Sequence, residues 1–535
     1  MREIIHIDCT LRDGGYYNNW EFTSEQISAY LHAMVAVSVD VVELGLRSFE
    51  TKGYRGPCAY TTDRFLRSLP IPKGLSIGVM LNAAELVNHA LDPAAAVELL
   101  FSQRQDSPVE LVRIACHMNE VEAVIPACIW LVAAGYRVGL NLMQIADRTD
   151  QEIENVASQV EGNGIEVLYF ADSLGSLDPD QTARIIKSLR QRWSGLLGIH
   201  THDNMGRAMA NTLRAIEEGV TWVDSTVTGM GRGPGNAHTE YLVIELENLE
   251  QRKINLTPLL ALINKHFAPL QARHRWGMNP YYYLAGQYGI HPTYVQQMLA
   301  DTRYEEADIF SVIEHLRQVG GKKFSESVMD EGRQRYGLAQ TGTWKPIDVI
   351  KGNEVIIIGA GPSVFEHREA LQQYIREHRP FVVALNTQTA IDLELIDVRA
   401  ACHPVRLLAD LEAYRTLLQP LVVPVGHLSP LARKLLEPAP LYDFGHSVQP
   451  ATFKFDETSA VVPTSLVIAY ALAFTTSGLA RRILLAGFDG FGASDPRNSE
   501  MDNLLSLYQN ATGARQLLSI TQTKYQIPTT SVYAL

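Results

Sequence analysis

Disulfide chemistry has little to work with in this chain: 535 residues carry five cysteines, Cys9, Cys58, Cys116, Cys128 and Cys402. They are scattered, odd in number and never spaced Cys-x-x-Cys. That speaks for reduced thiols and a cytoplasmic location, and against a disulfide framework. Positive charge is short as well. Lys and Arg number 46 against 59 Asp and Glu, and the net charge of −13 argues against nucleic acid and anionic membranes as main partners. Long apolar runs are missing: the richest windows, such as Leu466 to Phe474, fall far short of a bilayer span. The first residues lead straight into a strand, so no leader is expected. What is there is core. A chain 46% hydrophobic and 20% charged describes a globular protein with ample interior, and the length suggests two to four domains.

Chemistry-bearing residues gather first at the start of the chain. The apolar run Ile4 to Ile7 stops at Asp8, Thr10, Arg12 and Asp13, and a Gly14-Gly15 turn is expected to follow. A buried parallel strand that ends in a carboxylate and a guanidinium is how α/β barrels present reactive groups. A second apolar strand, Leu196 to Ile199, ends in His200-Thr-His202. Residues i and i+2 of a strand share a face, so both imidazoles point one way. Taken alone, an Asp after a strand is more often a cap, and an HxH pair is structural about as often as metal-binding. Together they favour a divalent-metal site with open positions.

Between residues 4 and 230 the sequence repeats a strand-then-helix rhythm. Strands are expected at 4–9, 41–46, 75–81, 111–115, 136–143, 167–171, 196–200 and 222–227, with helices between them such as Ser24 to Val37 and Asp180 to Arg192. Eight strands about 30 residues apart is the cadence of a (β/α)8 barrel. Polar groups follow the strands, among them Glu43, Arg47, Asn82, His117, Asn141, Asp172 and Asp224, and half of these are expected to be structural. A glycine-rich loop, Gly229 to Asn236, then opens a helix near Thr239. It suits either an anion approaching backbone amides or a tight barrel-closing turn.

The stretches Asp8-Cys-Thr-Leu-Arg-Asp-Gly14, His200-Thr-His-Asp-Asn-Met-Gly206 and Gly231 to Asn236 resemble the DRE-TIM metallolyase superfamily over roughly residues 1–250. That superfamily includes 4-hydroxy-2-oxovalerate aldolase, HMG-CoA lyase and the isopropylmalate and homocitrate synthases, and the chain most resembles the aldolase branch. The resemblance implies a divalent metal held by Asp13, His200 and His202, with Asn236 as a further ligand. Mn2+ is expected, with Mg2+, Co2+ or Zn2+ as alternatives. It also implies that Arg12 stabilises an enolate oxygen. The chemistry agrees: forming or breaking a carbon–carbon bond beside a ketone places negative charge on that oxygen, where a metal and a guanidinium stabilise it. No strand end offers a Schiff-base lysine. Three departures stand out. Where the aldolases have a histidine base this chain has Tyr16 and Tyr17, so Tyr16 is the expected acid or base. The loop from Arg232 to Gly235 lacks the cysteine of HMG-CoA lyases. The order after the histidine pair is Asp203-Asn204 rather than Asn-Asp.

Residues 251–345 lose the rhythm and read as a helical extension, either a cover for the barrel or a dimerisation surface. By the same resemblance Tyr294 is a catalytic candidate, with core packing as the alternative. A new α/β domain is expected over 346–535. Its first strand runs into Gly359-Ala-Gly361-Pro-Ser363, a phosphate-cradling arrangement, and a second strand, Phe381 to Leu385, runs into Asn386. The full dinucleotide fingerprint is missing, because Val364 stands where its last glycine belongs. These residues resemble the nucleotide-binding half of bacterial CMP-dependent sialyltransferases and related flagellin-modifying proteins. The resemblance implies a nucleotide or nucleotide-sugar site at Gly359, Gly361, Ser363 and Asn386.

The sequence thus points to an α/β protein: a TIM barrel over 1–250, a helical extension over 251–345 and a Rossmann-like domain over 346–535. The expected activity is a metal-dependent aldolase joining or splitting a 2-keto acid such as pyruvate and an aldehyde, in a homo-oligomer. The alternatives are an acyl-CoA-dependent Claisen synthase, an aldolase fused to an NAD-dependent dehydrogenase, and a nucleotide-sensing scaffold on a degenerate barrel.

Overall fold

The computed structural model describes residues 3–535 apart from 305, 326–327, 330–331, 333–340, 429, 437–438 and 493–494. Contacts divide the chain into two units, Met1–Ala300 with Gly320–Phe324, and Asp301–Val319 with Ser325–Leu535.

In the first unit eight parallel strands close a barrel in sequence order: β1 (Ile5–Asp8), β2 (Val41–Leu46), β3 (Ser76–Asn82), β4 (Leu111–Cys116), β5 (Arg137–Leu142), β6 (Val167–Asp172), β7 (Leu196–Thr201) and β8 (Trp222–Ser225), with β8 pairing back to β1. All eight expected strands are present. The two-residue period explains how the barrel carries both a core and a site. Ile7, Val41, Leu111, Val167, Tyr169 and Trp222 form a small apolar cluster of their own. Two residues further along β2, β4 and β8, on the same side of each strand, stand Glu43, Arg113 and Asp224. An apolar plug is therefore overlaid by a charged layer. The larger core lies between the strands and the surrounding helices, whose N-termini are held by capping boxes at Thr23/Gln26, Thr149/Glu152 and Asp178/Gln181.

The Gly14-Gly15 turn joins two short helical turns, Thr10–Asp13 and Gly15–Asn18, with Gly14 itself at φ −65°. Glycine is needed there for space: a Cβ on Gly15 would lie 2.1 Å from Trp20 Cδ1, and one on Gly14 would lie 2.8 Å from Met230 Sδ. Leu259, Leu262, Phe267 and Trp276 join the barrel core, whereas helix Glu306–Val319 lies in the second unit.

The second unit is built on a parallel sheet of seven strands: β9 (Glu354–Ile358), β10 (Phe381–Leu385), β11 (Val398–Ala400), β12 (Leu421–Val423), β13 (Leu441–Asp443), β17 (Arg482–Ala486) and β18 (Leu517–Ser519). Their order is β13-β12-β11-β10-β9-β17-β18, so the chain winds outward from β9 and then returns to its other side. A separate three-stranded sheet holds β14 (Gly445–Val448), β15 (Lys454–Phe455) and β16 (Ser459–Val462). The apolar run near residue 470 is helix Val467–Ser477, buried from Ile468 to Thr476, which accounts for its lack of a polar face. No described helix is long and apolar enough to cross a membrane.

Asp172, fully buried at the end of β6, accepts the N–H groups of Ser176 at 2.9 Å and Leu177 at 3.1 Å. Burial, only partly offset by these donors, pushes its carboxyl up to about 7. A carboxyl raised in the folded state stabilises fully below its unfolded value and loses that contribution as pH rises through 7. We predict a loss of roughly 1.4 kcal/mol per pH unit from this group between about pH 4 and 7. Urea unfolding across that range should show Asp172→Asn without this part of the slope; an identical slope would refute the assignment.

Candidate active site at the carboxyl end of the barrel

The site is assembled on one buried run of charges. Arg12 donates from Nε to Glu43 Oε2 at 2.8 Å and from NH1 to Asp13 Oδ1 at 2.7 Å. Glu43 also receives Arg113 Nε at 2.7 Å and NH2 at 2.8 Å, and Arg113 NH1 donates to Asp224 Oδ2 at 2.7 Å. Asp224 Oδ2 in turn lies 2.9 Å from His200 Nδ1. The carboxylate accepts the Nδ1 proton, so Nε2 is left as the lone-pair face of the ring. Burial alone would raise the carboxyls of Glu43, Asp224 and Asp13. For Glu43 the guanidiniums of Arg113 and Arg12 more than offset it. For Asp224 Arg113 and the hydrogen bond from His200 do so, and for Asp13 chiefly Arg12, with Arg232 adding to it. All three therefore sit below the usual carboxylate range. His202 is buried and its imidazole is pushed far down, chiefly by desolvation, so it is neutral.

Asp13, His200 and His202 each bring a ligand atom within 4.8 Å of the others. Several buried atoms around them have no hydrogen-bond partner: Asp13 Oδ2, His202 Nδ1, Asn236 Oδ1 and Arg12 NH2. Such orphans are costly unless something else satisfies them. Asn236 Nδ2 lies 3.0 Å from His200 Nε2, and His200 Nε2 lies 3.8 Å from Asp13 Oδ2. Gly231 borders the same space: a Cβ there would lie 2.0 Å from Asn236 Oδ1 and 2.6 Å from Asp13 Oδ2. Two imidazoles, a carboxylate and an amide oxygen around a gap that only glycine leaves open suit a divalent cation. A second group, Cys9, His200 and Asp224, shares His200, but its thiol is pushed well up by burial and is protonated.

The glycine-rich loop is pinned from outside. Tyr17 OH donates to the Gly233 carbonyl at 2.5 Å, Gln296 Oε1 accepts the Gly233 N–H at 3.0 Å, and Trp276 Nε1 donates to the Thr228 carbonyl at 3.0 Å. Of the two anticipated roles for the loop, closing the barrel mouth matches its contacts.

Sequence reasoning named Arg12, Asp13, His200, His202 and Asn236, and the fold brings all five together. Tyr16 lies at the edge, 38% exposed, its ring against Trp20 and below the Arg232 guanidinium. Tyr294 is 1% exposed and donates its hydroxyl to the Lys323 carbonyl at 2.9 Å, contacts that suit the core-packing alternative. Arg113, Gly231 and the site-facing position of Arg232 were missed. A cation inside the apolar run Leu111 to Cys116 was the one available signal, since a buried guanidinium must find carboxylates.

In the second unit the anticipated phosphate cradle meets an anion already in place. Ser363 donates its N–H to Asp489 Oδ2 at 3.0 Å and its hydroxyl to Asp489 Oδ1. The N–H groups of Gly359 and Gly361 go to the carbonyls of Ala486 at 2.8 Å and Gly487 at 2.9 Å. The turn is thus satisfied from within the fold. Asn386, at φ 51°, instead faces a cleft of about 170 Å3 with Arg303, His403, Arg406 and Arg497 on its walls.

Comparison with known proteins bears on the barrel. Residues 3–264 match the HMGL-like family. The 4-hydroxy-2-oxovalerate aldolase of Brevibacillus brevis is 28% identical over 274 residues, 50% of this chain and 77% of that protein. That of Carboxydothermus hydrogenoformans is 27% identical over 339 residues, 60% of this chain and 95% of the relative. The oxaloacetate decarboxylase of Mycobacterium tuberculosis is 25% identical over 248 residues, 46% and 70% of the two chains. Among solved structures, the N-terminal domain of a Bacteroides vulgatus protein has 29% identity and a TM-score of 0.48, covering 56% of this chain and 97% of that one. The chain is a carbon–carbon lyase, and its relatives agree with the resemblance read from its first strand and its histidine pair.

Filling the gap beside Gly231 should weaken the binding of a divalent cation. We expect Gly231→Ala to weaken Mn2+ binding by about tenfold or more, since one lost ligand is worth at least ~1.4 kcal/mol. Calorimetric titration of the metal-free protein reads this directly, and an unchanged affinity would sink the assignment.

Proposed function

We propose that the barrel is a divalent-metal-dependent aldolase acting on a 2-keto acid, with pyruvate as the simplest member, and an aldehyde. The observation that carries this reading is the convergence of Asp13, His200, His202 and Asn236 beside the unpartnered NH2 of Arg12. When bound, a divalent cation there supplies Lewis-acid polarisation of the keto acid's oxygens. The remaining work falls to this chain's own groups. Arg12, held by Glu43 and Asp13, keeps NH2 aimed at the oxygen that becomes an enolate, and its preorganisation avoids reorienting solvent dipoles as charge develops. Asp224 holds His200 with Nε2 toward the site. Tyr16, at the edge of the site, is the hydroxyl offered to the aldehyde oxygen.

The charge count fits an anionic substrate. Two guanidiniums, Arg12 and Arg113, stand against three carboxylates, Asp13, Glu43 and Asp224, which leaves one negative charge. A divalent cation makes the cluster positive by one, matched to a keto acid's carboxylate. For the second unit we infer a nucleotide-linked handle at the Asn386 cleft, supported by the three arginines on its walls and by its place beyond the carboxyl ends of β10 and β17.

Proton exchange at the methyl group of pyruvate in D2O, followed by NMR with Mn2+ present, tests enolisation without knowledge of the aldehyde. We expect exchange in the native chain and none in His200→Ala, which should also lose its metal. Arg12→Lys keeps the charge but not the planar fork, and should slow exchange by about 10²-fold while metal content stays intact. Absence of exchange in the native protein overturns the aldolase reading.

A further inference from the structure

A second guanidinium faces the site, and the chemistry above gives it no task. Arg232 follows Gly231, whose Cα borders Asp13 and Asn236, and precedes Gly233, whose N–H and carbonyl are both taken by side chains from outside the loop. Its main chain is thus anchored on both sides. Its Cζ lies 5.7 Å from the centroid of the Tyr16 ring. Its Nε is buried without a hydrogen-bond partner, and no carboxylate among the described residues forms an ion pair with it. Its charge is nonetheless felt at the site, for it helps to hold the Asp13 carboxyl low. The neighbouring His291 is kept neutral, its pKa lowered to about 3 by burial first, then by Arg232 and His117.

A guanidinium against an aromatic face keeps its in-plane N–H donors for a planar or tetrahedral anion. Leaving such a donor desolvated and unmatched is costly, so a substrate that supplies the acceptor is favoured over one that does not. The keto acid does not fill this role, because its oxygens belong to the metal position and to Arg12. The acceptor must come from the other reactant.

We propose that the aldehyde portion of the substrate carries an anionic group, a carboxylate or a phosphate, and that Arg232 receives it. This rests on the aldolase reading. Arg232 is then the specificity-determining residue, and the barrel binds a substrate with anionic groups at both ends of the bond that is made or broken.

Paired aldehydes test it: propionaldehyde against succinic semialdehyde, and glyceraldehyde against glyceraldehyde 3-phosphate, each added to pyruvate by the Mn2+-loaded full chain. We expect kcat/KM to favour one charged member by about 10–100-fold, as one charge-assisted contact allows. The pair that shows the preference distinguishes carboxylate from phosphate. Arg232→Ala should collapse the ratio, mainly through KM, and Arg232→Lys should keep part of it. Without turnover, calorimetry with succinate and inorganic phosphate should show weaker binding of the preferred anion to Arg232→Ala by a similar factor. Equal kcat/KM within both pairs, or a ratio unchanged in Arg232→Ala, overturns the proposal. If pyruvate exchanges its protons and no charged aldehyde is preferred, this inference alone fails; if pyruvate does not exchange, the aldolase reading fails with it.

Discussion

Everything at the barrel mouth hangs on the carboxylate of Glu43. It is fully buried and bonded to two guanidiniums, one of which also reaches Asp13 while the other reaches across the lumen to Asp224. A single carboxylate therefore sets the position of Arg12 and, through Arg113 and Asp224, the tautomer of His200. Buried ion pairs are weak evidence for stability, because desolvation consumes most of the Coulombic gain, but they hold geometry well. Four strands contribute to this run, β2, β4, β7 and β8, and Arg12 follows a fifth. The site is a cross-brace of the barrel rather than an attachment to its rim.

Much of this could be read from the chain before any coordinates. The eight strands announce themselves as short apolar runs about thirty residues apart, and Asp13, His200 and His202 stand where those runs end. The rest escaped for definite reasons. Arg113 lies within a strand, where alternation says which way it points but not which carboxylates await it. The importance of Gly231 lies in the space that Asn236 and the distant Asp13 leave beside it, which no local pattern shows. Gly14 and Gly15 look like turn residues by type, yet the need they meet is space beside Met230 and Trp20. The Gly359 turn reads as a phosphate site only while Asp489, 126 residues beyond Ser363, is out of view.

The two glycine-rich turns invite comparison. The Gly359 turn meets a helix end and has its donors satisfied by an internal carboxylate, which does what a ligand's phosphate would do. The Gly229–Asn236 loop does the reverse. There Gly233 gives its N–H and carbonyl to neighbouring side chains, and two side-chain atoms, Asn236 Oδ1 and Arg232 Nε, are left without partners. The loop at the barrel mouth thus keeps unmet side-chain hydrogen-bonding capacity, whereas at the Gly359 turn the N–H groups of Gly359, Gly361 and Ser363 are already taken.

The anchoring of that loop by Trp276 and Gln296 has a consequence for how the catalytic module is inherited. The eight strands are complete by Ser225, yet a barrel cut near residue 250 would lack the side chains that hold Gly233 and Thr228 in place. The smallest portable version of this enzyme is accordingly longer than its barrel. A gene fusion or duplication that moved the strands alone would transmit a fold without a working mouth, and the helices to residue 300 travel with the barrel as part of its chemistry.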